Sequence, residues 1–116
     1  MINLQWIKCY EGKVWCPLKT VDLSKVTATG VYVIWHGGDP PNIVRVGQGK
    51  ITDRLEDHRA DQEILVFRQF GELFVTWASV PAAQRDGVEN YLGDQYHPLI
   101  GDVFPAADPI EVNLPV

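Results

Sequence analysis

Gly30-Val31-Tyr32-Val33-Ile34-Trp35 and Ile43-Val44-Arg45-Val46-Gly47 are the two stretches whose reading decides the fold. Both are runs of β-branched and aromatic residues, which suit an extended, pleated backbone. Between them lies His36-Gly37-Gly38-Asp39-Pro40-Pro41-Asn42, dense in residues that set turn dihedrals. The pattern predicts two antiparallel neighbours joined by a loop. Downstream, Ile51, Leu55 and either His58 or Arg59 follow the i, i+4, i+7/8 spacing of one helix face, predicting a helix over 51–60 with Thr52 or Asp53 as its cap.

Working outward, residues 64–70 read either as a second helical piece or as the approach to a strand. Residues 73–80 form a predicted strand ended by Pro81, a residue that also suits the first turn of a helix. That helix runs to about Tyr96 with Val88, Tyr91, Leu92 and Gln95 or Tyr96 near one face, and Gly87 weakens it by about 1 kcal/mol relative to alanine. Pro98, Gly101, Pro105, Pro109 and Pro115 make the tail irregular, with one edge strand at 110–114. On the other side, residues 4–10 and 14–16 flank Glu11-Gly12 and predict a β-hairpin, with 17–29 as a polar connection. The fold class is therefore α+β: a small, mainly antiparallel sheet flanked by helices, with an N-terminal hairpin extension. The expected organisation is extension and connection over 1–28, the main unit over 29–102, and a tail over 103–116 packed on it.

Composition sets limits. A chain of 116 residues fits one domain, and its 46% apolar and 22% charged content is that of a globular protein. No apolar run approaches the roughly 20 residues that span a bilayer, and the N-terminus does not read as a signal peptide, so the expected location is cytoplasmic with no membrane partner. Cys9 and Cys16 match no common zinc spacing. Reduced, partly buried thiols are the expectation; a disulfide would go with export. The net charge of −5 argues against a broad cationic surface for non-specific DNA binding. Locally the balance reverses, because Arg45, Lys50, Arg54, His58 and Arg59 lie within fifteen positions. Arg45, Lys50 and Arg59 are accordingly candidates for substrate binding.

Four polar residues stand out by context. Tyr32 sits in the middle of an apolar strand, Arg54 and His58 share a helix face, and Glu89 lies beside an apolar stripe. Phosphodiester hydrolysis needs cations or a metal to absorb charge, a group to activate water, and stabilisation of the leaving oxygen. A carboxylate for one ion, an arginine for phosphate, and a phenol or imidazole for proton transfer would suffice. Each residue alone has a plainer reading. Tyr32 would be a core tyrosine, Arg54 and His58 a solvated helix face, and Glu89 an i−4 partner of Arg85. Trp6, Trp15, Trp35 and Trp77 read as packing rather than base-stacking residues.

Order and spacing add more. Gly30-Val31-Tyr32, Val44-Arg45-Val46-Gly47-Gln48, Arg54-Leu55 with His58, then Val88-Glu89 with Pro98, resemble the GIY-YIG endonuclease superfamily over roughly residues 29–102. The resemblance implies that Tyr32 positions or activates the attacking water, Arg54 contacts the phosphate, His58 assists proton transfer, and Glu89 holds a single Mg²⁺ or Mn²⁺. It also implies DNA as substrate, cut by one-metal hydrolysis. Two positions depart from the family pattern. Arg45 stands where the family has its second tyrosine, and an arginine cannot act as a general base near neutral pH. The late asparagine is missing, with Gly101 and Asp102 in its neighbourhood. These departures favour the competing expectation, a catalytically impaired scaffold that binds nucleic acid or a protein. A protein partner supplying specificity, and a monomer or a weak dimer through the hairpin, complete the expectations.

Overall fold

The computed structural model describes residues 1–101 and 104–116, so Asp102 lies outside the described residues. In chain order the elements are α1 (Cys9–Gly12, one left-handed turn), β1 (Cys16–Pro17), β2 (Thr29–His36), β3 (Asn42–Lys50), α2 (Ile51–Arg59), α3 (Gln62–Leu65), a 3₁₀ turn (Val66–Gln69), β4 (Leu73–Ser79) and α4 (Ala82–Tyr96). The strands form one antiparallel sheet in the order β1-β4-β2-β3. The protein is α+β, and residues 64–70 take the helical option.

The central strand β2 is buried on both faces because each face has its own apolar layer. Tyr32 and Ile34 meet Ile51 and Leu55 of α2 and Ile64 of α3. Val31, Val33 and Trp35 meet Val88 and Leu92 of α4. The strand is therefore a continuous apolar run, without the alternation of a half-exposed strand. Gly30 belongs to the same logic: a Cβ there would overlap the carbonyl oxygen of Ala78 across the pair with β4. Gly87 has a second role besides weakening α4. Its bare backbone lets the tail cross the helix, where the Ile110 amide donates to the Gly87 carbonyl at 2.9 Å.

The N-terminal hairpin does not form as a ladder. The backbone pairing between its two arms is the Cys9–Val14 bridge. The second arm instead joins the sheet through Cys16 and Pro17 against β4, and the Ile7 amide donates to the Trp77 carbonyl. Farther back, the first arm meets the tail: Ile2 bridges Val112 in parallel, and Asn113 receives the Leu4 amide and returns a bond to the Leu4 carbonyl. The tail's edge-strand expectation thus reduces to that one bridge. Trp6 spends its indole N–H on the Asn113 carbonyl, and Trp15 packs edge-on against Trp35 at 5.4 Å, so the chain itself uses both rings.

The expectation of reduced thiols is also corrected: Cys9 and Cys16 are joined as a disulfide. Tyr10, Glu11 and Gly12 take φ of 51, 57 and 80°, reversing the chain within one turn. That brings the two Cα atoms to 5.1 Å, inside the span a disulfide needs. No helix among the described residues is long and apolar enough to cross a membrane.

α2 begins at Ile51 with Lys50 as its cap residue, and no side chain caps it. Thr52, expected as a cap, donates to the Val26 carbonyl and so ties the 17–29 connection to the helix. Arg59 does the same at the other end. Its Nε and Nη2 donate to the carbonyls of Leu18 and Val21 at 2.9 and 2.7 Å. Arg59 follows Arg54 by five positions, which turns it about 140° round the helix from the face Arg54 occupies. Arg59, expected to bind substrate, has its guanidinium engaged by these two carbonyls. Arg59→Met keeps the aliphatic stem and leaves both carbonyls without their charged donor, so it is expected to cost roughly 2–3 kcal/mol. A shift of the urea midpoint at constant slope would report it, and an unchanged midpoint would refute it.

Candidate active site

Strand register builds the first half of the site. Tyr32 stands directly opposite Gly47 on β3, and a Cβ at Gly47 would fall within the tyrosine ring and its hydroxyl. Glycine at 47 is what leaves room for the ring to lie across the neighbouring strand. Beneath it, His58 on α2 is buried at 7% exposure, while Arg54, one turn earlier on the same helix face, stays at the surface. Tyr32 Oη and His58 Nε2 then meet at 2.5 Å, with ring centroids 5.2 Å apart. Gly49, at φ 135°, brings the end of β3 against the Arg54 side chain, where a Cβ would sit 2.9 Å from Nε. Only glycine adopts that dihedral without strain.

Arg45 enters from β3 on the same side, paired in register with Ile34. Its guanidinium lies by Gly101, and both Arg45 and Arg54 act electrostatically on Tyr32, His58 and Glu89. The second half of the site lies on the other side of β3. There Gln48, whose backbone pairs with Val31, faces α4 and its Nε2 donates to Glu89 Oε2 at 2.5 Å and to Asp86 Oδ1 at 2.6 Å. Arg85, the partner that the plainer reading offered Glu89, turns back to donate to the Val80 carbonyl. Lys50 is exposed at the start of α2.

Sequence reasoning assigned no role to Gln48 or Asp86. Both left a trace: Gln48 follows Gly47 and so points to the opposite face, and Asp86 sits three residues before Glu89 on one helix side.

Burial sets the protonation states. It raises the Tyr32 phenol above its usual range, with the Arg45 charge working against it. It raises the Glu89 carboxyl as well, while the Gln48 hydrogen bond lowers it and the Asp86 charge raises it further. Burial, and then the Arg45 charge, push His58 down to about 4, with Asp61 and Asp57 opposing and Arg54 assisting. Tyr32 and His58 are therefore both neutral near pH 7. Arg45 Nε and His58 Nδ1 are buried without a hydrogen-bond partner among the described residues. A buried polar atom left alone costs about 1–3 kcal/mol, so the site holds unused hydrogen-bonding capacity.

The lowered His58 carries a stability signature. The unfolded chain binds a proton near 6.5 and the folded chain only near 4, so the stabilisation is full above 6.5 and is lost as pH falls towards 4. Its upper bound is about 3 kcal/mol. The raised Glu89 carboxyl works with the opposite sign, so the His58 part must be isolated by substitution. Between pH values of about 7 and 4.5, His58→Gln is expected to lose less stability than the wild type in urea unfolding. Equal losses would refute the assignment.

No protein-family model matches the chain, and comparison with curated proteins and with solved structures finds no match.

Proposed function

We propose that the chain is a metal-dependent, endonuclease-like domain that hydrolyses DNA phosphodiester bonds at the site wrapped around β3. The observation that carries the reading is the convergence of Tyr32, Arg45, Arg54 and His58 on one side of that strand with Glu89 at its other side. The order of these residues along the chain is also the order of the motifs resembling GIY-YIG enzymes.

A divalent ion fits the donor set. Among the described residues no three His, Cys, Asp or Glu side chains cluster as a cage. Mg²⁺ does not need one, since it is commonly held by one or two carboxylates with water and substrate phosphate completing the shell. Glu89, with Asp86 beside it, would hold the ion, and Gln48 would give up the hydrogen bonds it now makes. Bound there, the ion would supply charge stabilisation to a phosphoryl oxygen and lower the pKa of coordinated water.

The chain's own residues do the rest. Arg54 and Arg45 draw in and orient the phosphate, their charge standing out against a net −5 protein. Tyr32, protonated and backed by His58 Nε2, orients a water or donates to a phosphate oxygen. His58 can take the tyrosine proton only weakly, since its own basicity is depressed.

A second reading has a specific observation in its favour. Gln48 already occupies the Glu89 carboxylate, and Arg45, where the resemblance puts a tyrosine, cannot act as a base near neutral pH. In that reading the scaffold binds nucleic acid, or a protein partner, without turnover. Supercoiled-plasmid nicking in Mg²⁺ or Mn²⁺, with and without chelator, separates the two. Chelator-sensitive nicking supports the enzyme. DNA binding that weakens with salt and is lost in Arg45→Ala/Arg54→Ala, with no nicking, supports the binding domain.

A further inference from the structure

Arg45 on β3 adds a second cation to what the site can bind. Two guanidiniums, one from β3 and one from α2, act on a buried pair of neutral groups, Tyr32 and His58. Arg45 Nε is a buried donor with no acceptor among the described residues. His58 has one nitrogen engaged by Tyr32 and the other, Nδ1, buried and without a partner among the described residues. With two fixed cations nearby, a third charge on the imidazole is disfavoured. Among the described residues, Asp61 just beyond its helix and Asp57 on that helix act the other way, and Tyr32 is neutral.

We propose that Arg45 and Arg54 together take a dianionic phosphoryl group over the Tyr32–His58 pair, and that His58 takes up one proton from solvent as the anion binds. The anion neutralises the two guanidiniums whose charge adds to burial in keeping the imidazole neutral, so their repulsion of a proton on the ring is removed. The proton balance is simple. His58 gains one hydrogen from solvent, both ring nitrogens then carry N–H, and Nε2–H donates to Tyr32 Oη. Tyr32 keeps its own hydrogen, which is released from the imidazole and turns towards the anion. Two arginines plus an imidazolium match two negative charges better than the single charge of a ground-state phosphodiester. Two negative charges belong to a terminal phosphate monoester, and equally to the phosphorane formed by in-line attack on a diester. The inference rests on the phosphate-binding half of the proposed function and is independent of metal and of cleavage.

The test uses the full chain without metal, and sulfate as the probe because it keeps two charges throughout the range studied. His58, His36 and His97 are followed by side-chain NMR from about pH 7.5 to about 3.5, in sulfate and in chloride at equal ionic strength. Sulfate is expected to raise the His58 midpoint by about one pH unit or more, equivalent by reciprocity to tenfold tighter sulfate binding by the protonated protein. His36 and His97 should move no more than in chloride. Arg45→Gln should raise the His58 midpoint in chloride and shrink its response to sulfate, whereas Arg45→Lys should keep the response. Should Arg45→Gln fail to fold, Arg54→Gln, an exposed position, provides the same comparison. A His58 midpoint equal in the two salts, or a shift shared equally by all three histidines, would overturn the proposal. Loss of nicking alone would not, since the measurement involves neither metal nor DNA.

Discussion

Glu89→Ala is expected to abolish metal-dependent nicking while leaving the protein folded. Glu89 is the buried carboxylate of the site, at 9% exposure, and it carries the charge that would hold the ion. Metal stabilisation of a phosphoryl transition state is worth several kcal/mol, so its loss corresponds to at least about 10³-fold in rate. Folding should tolerate the change. Burial already works against the ionised carboxylate, and Gln48 keeps Asp86 as an acceptor. Glu89→Gln separates charge from shape, because its amide oxygen still accepts from Gln48 but binds a divalent ion poorly. Both variants should lose nicking and Mn²⁺ binding together, the latter read by calorimetry. Chelator-sensitive nicking that survives either substitution would remove Glu89 from the site and with it the one-metal reading.

Gly47→Ala should be the next most damaging single change, although it adds only one methyl group. The new Cβ would occupy space held by the Tyr32 hydroxyl and ring edge, so the ring must leave its place across β3. Forced overpacking of this kind costs about 1–3 kcal/mol. Displacing the ring also breaks the 2.5 Å contact with His58, and loss of a positioned proton-transfer group lowers rates by about 10²–10⁴-fold. Two comparisons isolate the cause. Tyr32→Phe removes the hydroxyl with the ring in place, so it should lose activity with less cost in stability. Pairing Gly47→Ala with Tyr32→Leu should be less destabilised than the two single changes summed, because a smaller side chain relieves the overlap. Strict additivity in urea unfolding would show that the two residues do not compete for that space.

The parts of this protein that were legible in its sequence share a physical feature. β2, β3, β4 and α4 are long runs whose apolar pattern states locally which surfaces must leave water, and α2 announces itself through Ile51 and Leu55. The placement of Tyr32 mid-strand and of Arg54 with His58 on one helix side followed from the same periodicities. The N-terminal segment has no such signal. Residues 4–10 alternate well enough for a hairpin, yet Leu4 bonds Asn113 and Ile7 bonds Trp77, partners far along the chain. The disulfide depended on a left-handed turn at Tyr10–Gly12 that residue types there do not dictate.

Determined by the sequence alone were the α+β class, the antiparallel β2–β3 pair, and the residue types available for chemistry. Only the tertiary structure decided how those residues are used. It turned Arg59 away to two backbone carbonyls, gave Glu89 to Gln48 instead of Arg85, and fitted Tyr32 into the space that Gly47 leaves. The reason is that periodicity records which face of an element is buried. Which partner meets that face, and which charges end up beside a buried imidazole, depends on strand register and packing between segments distant in the chain.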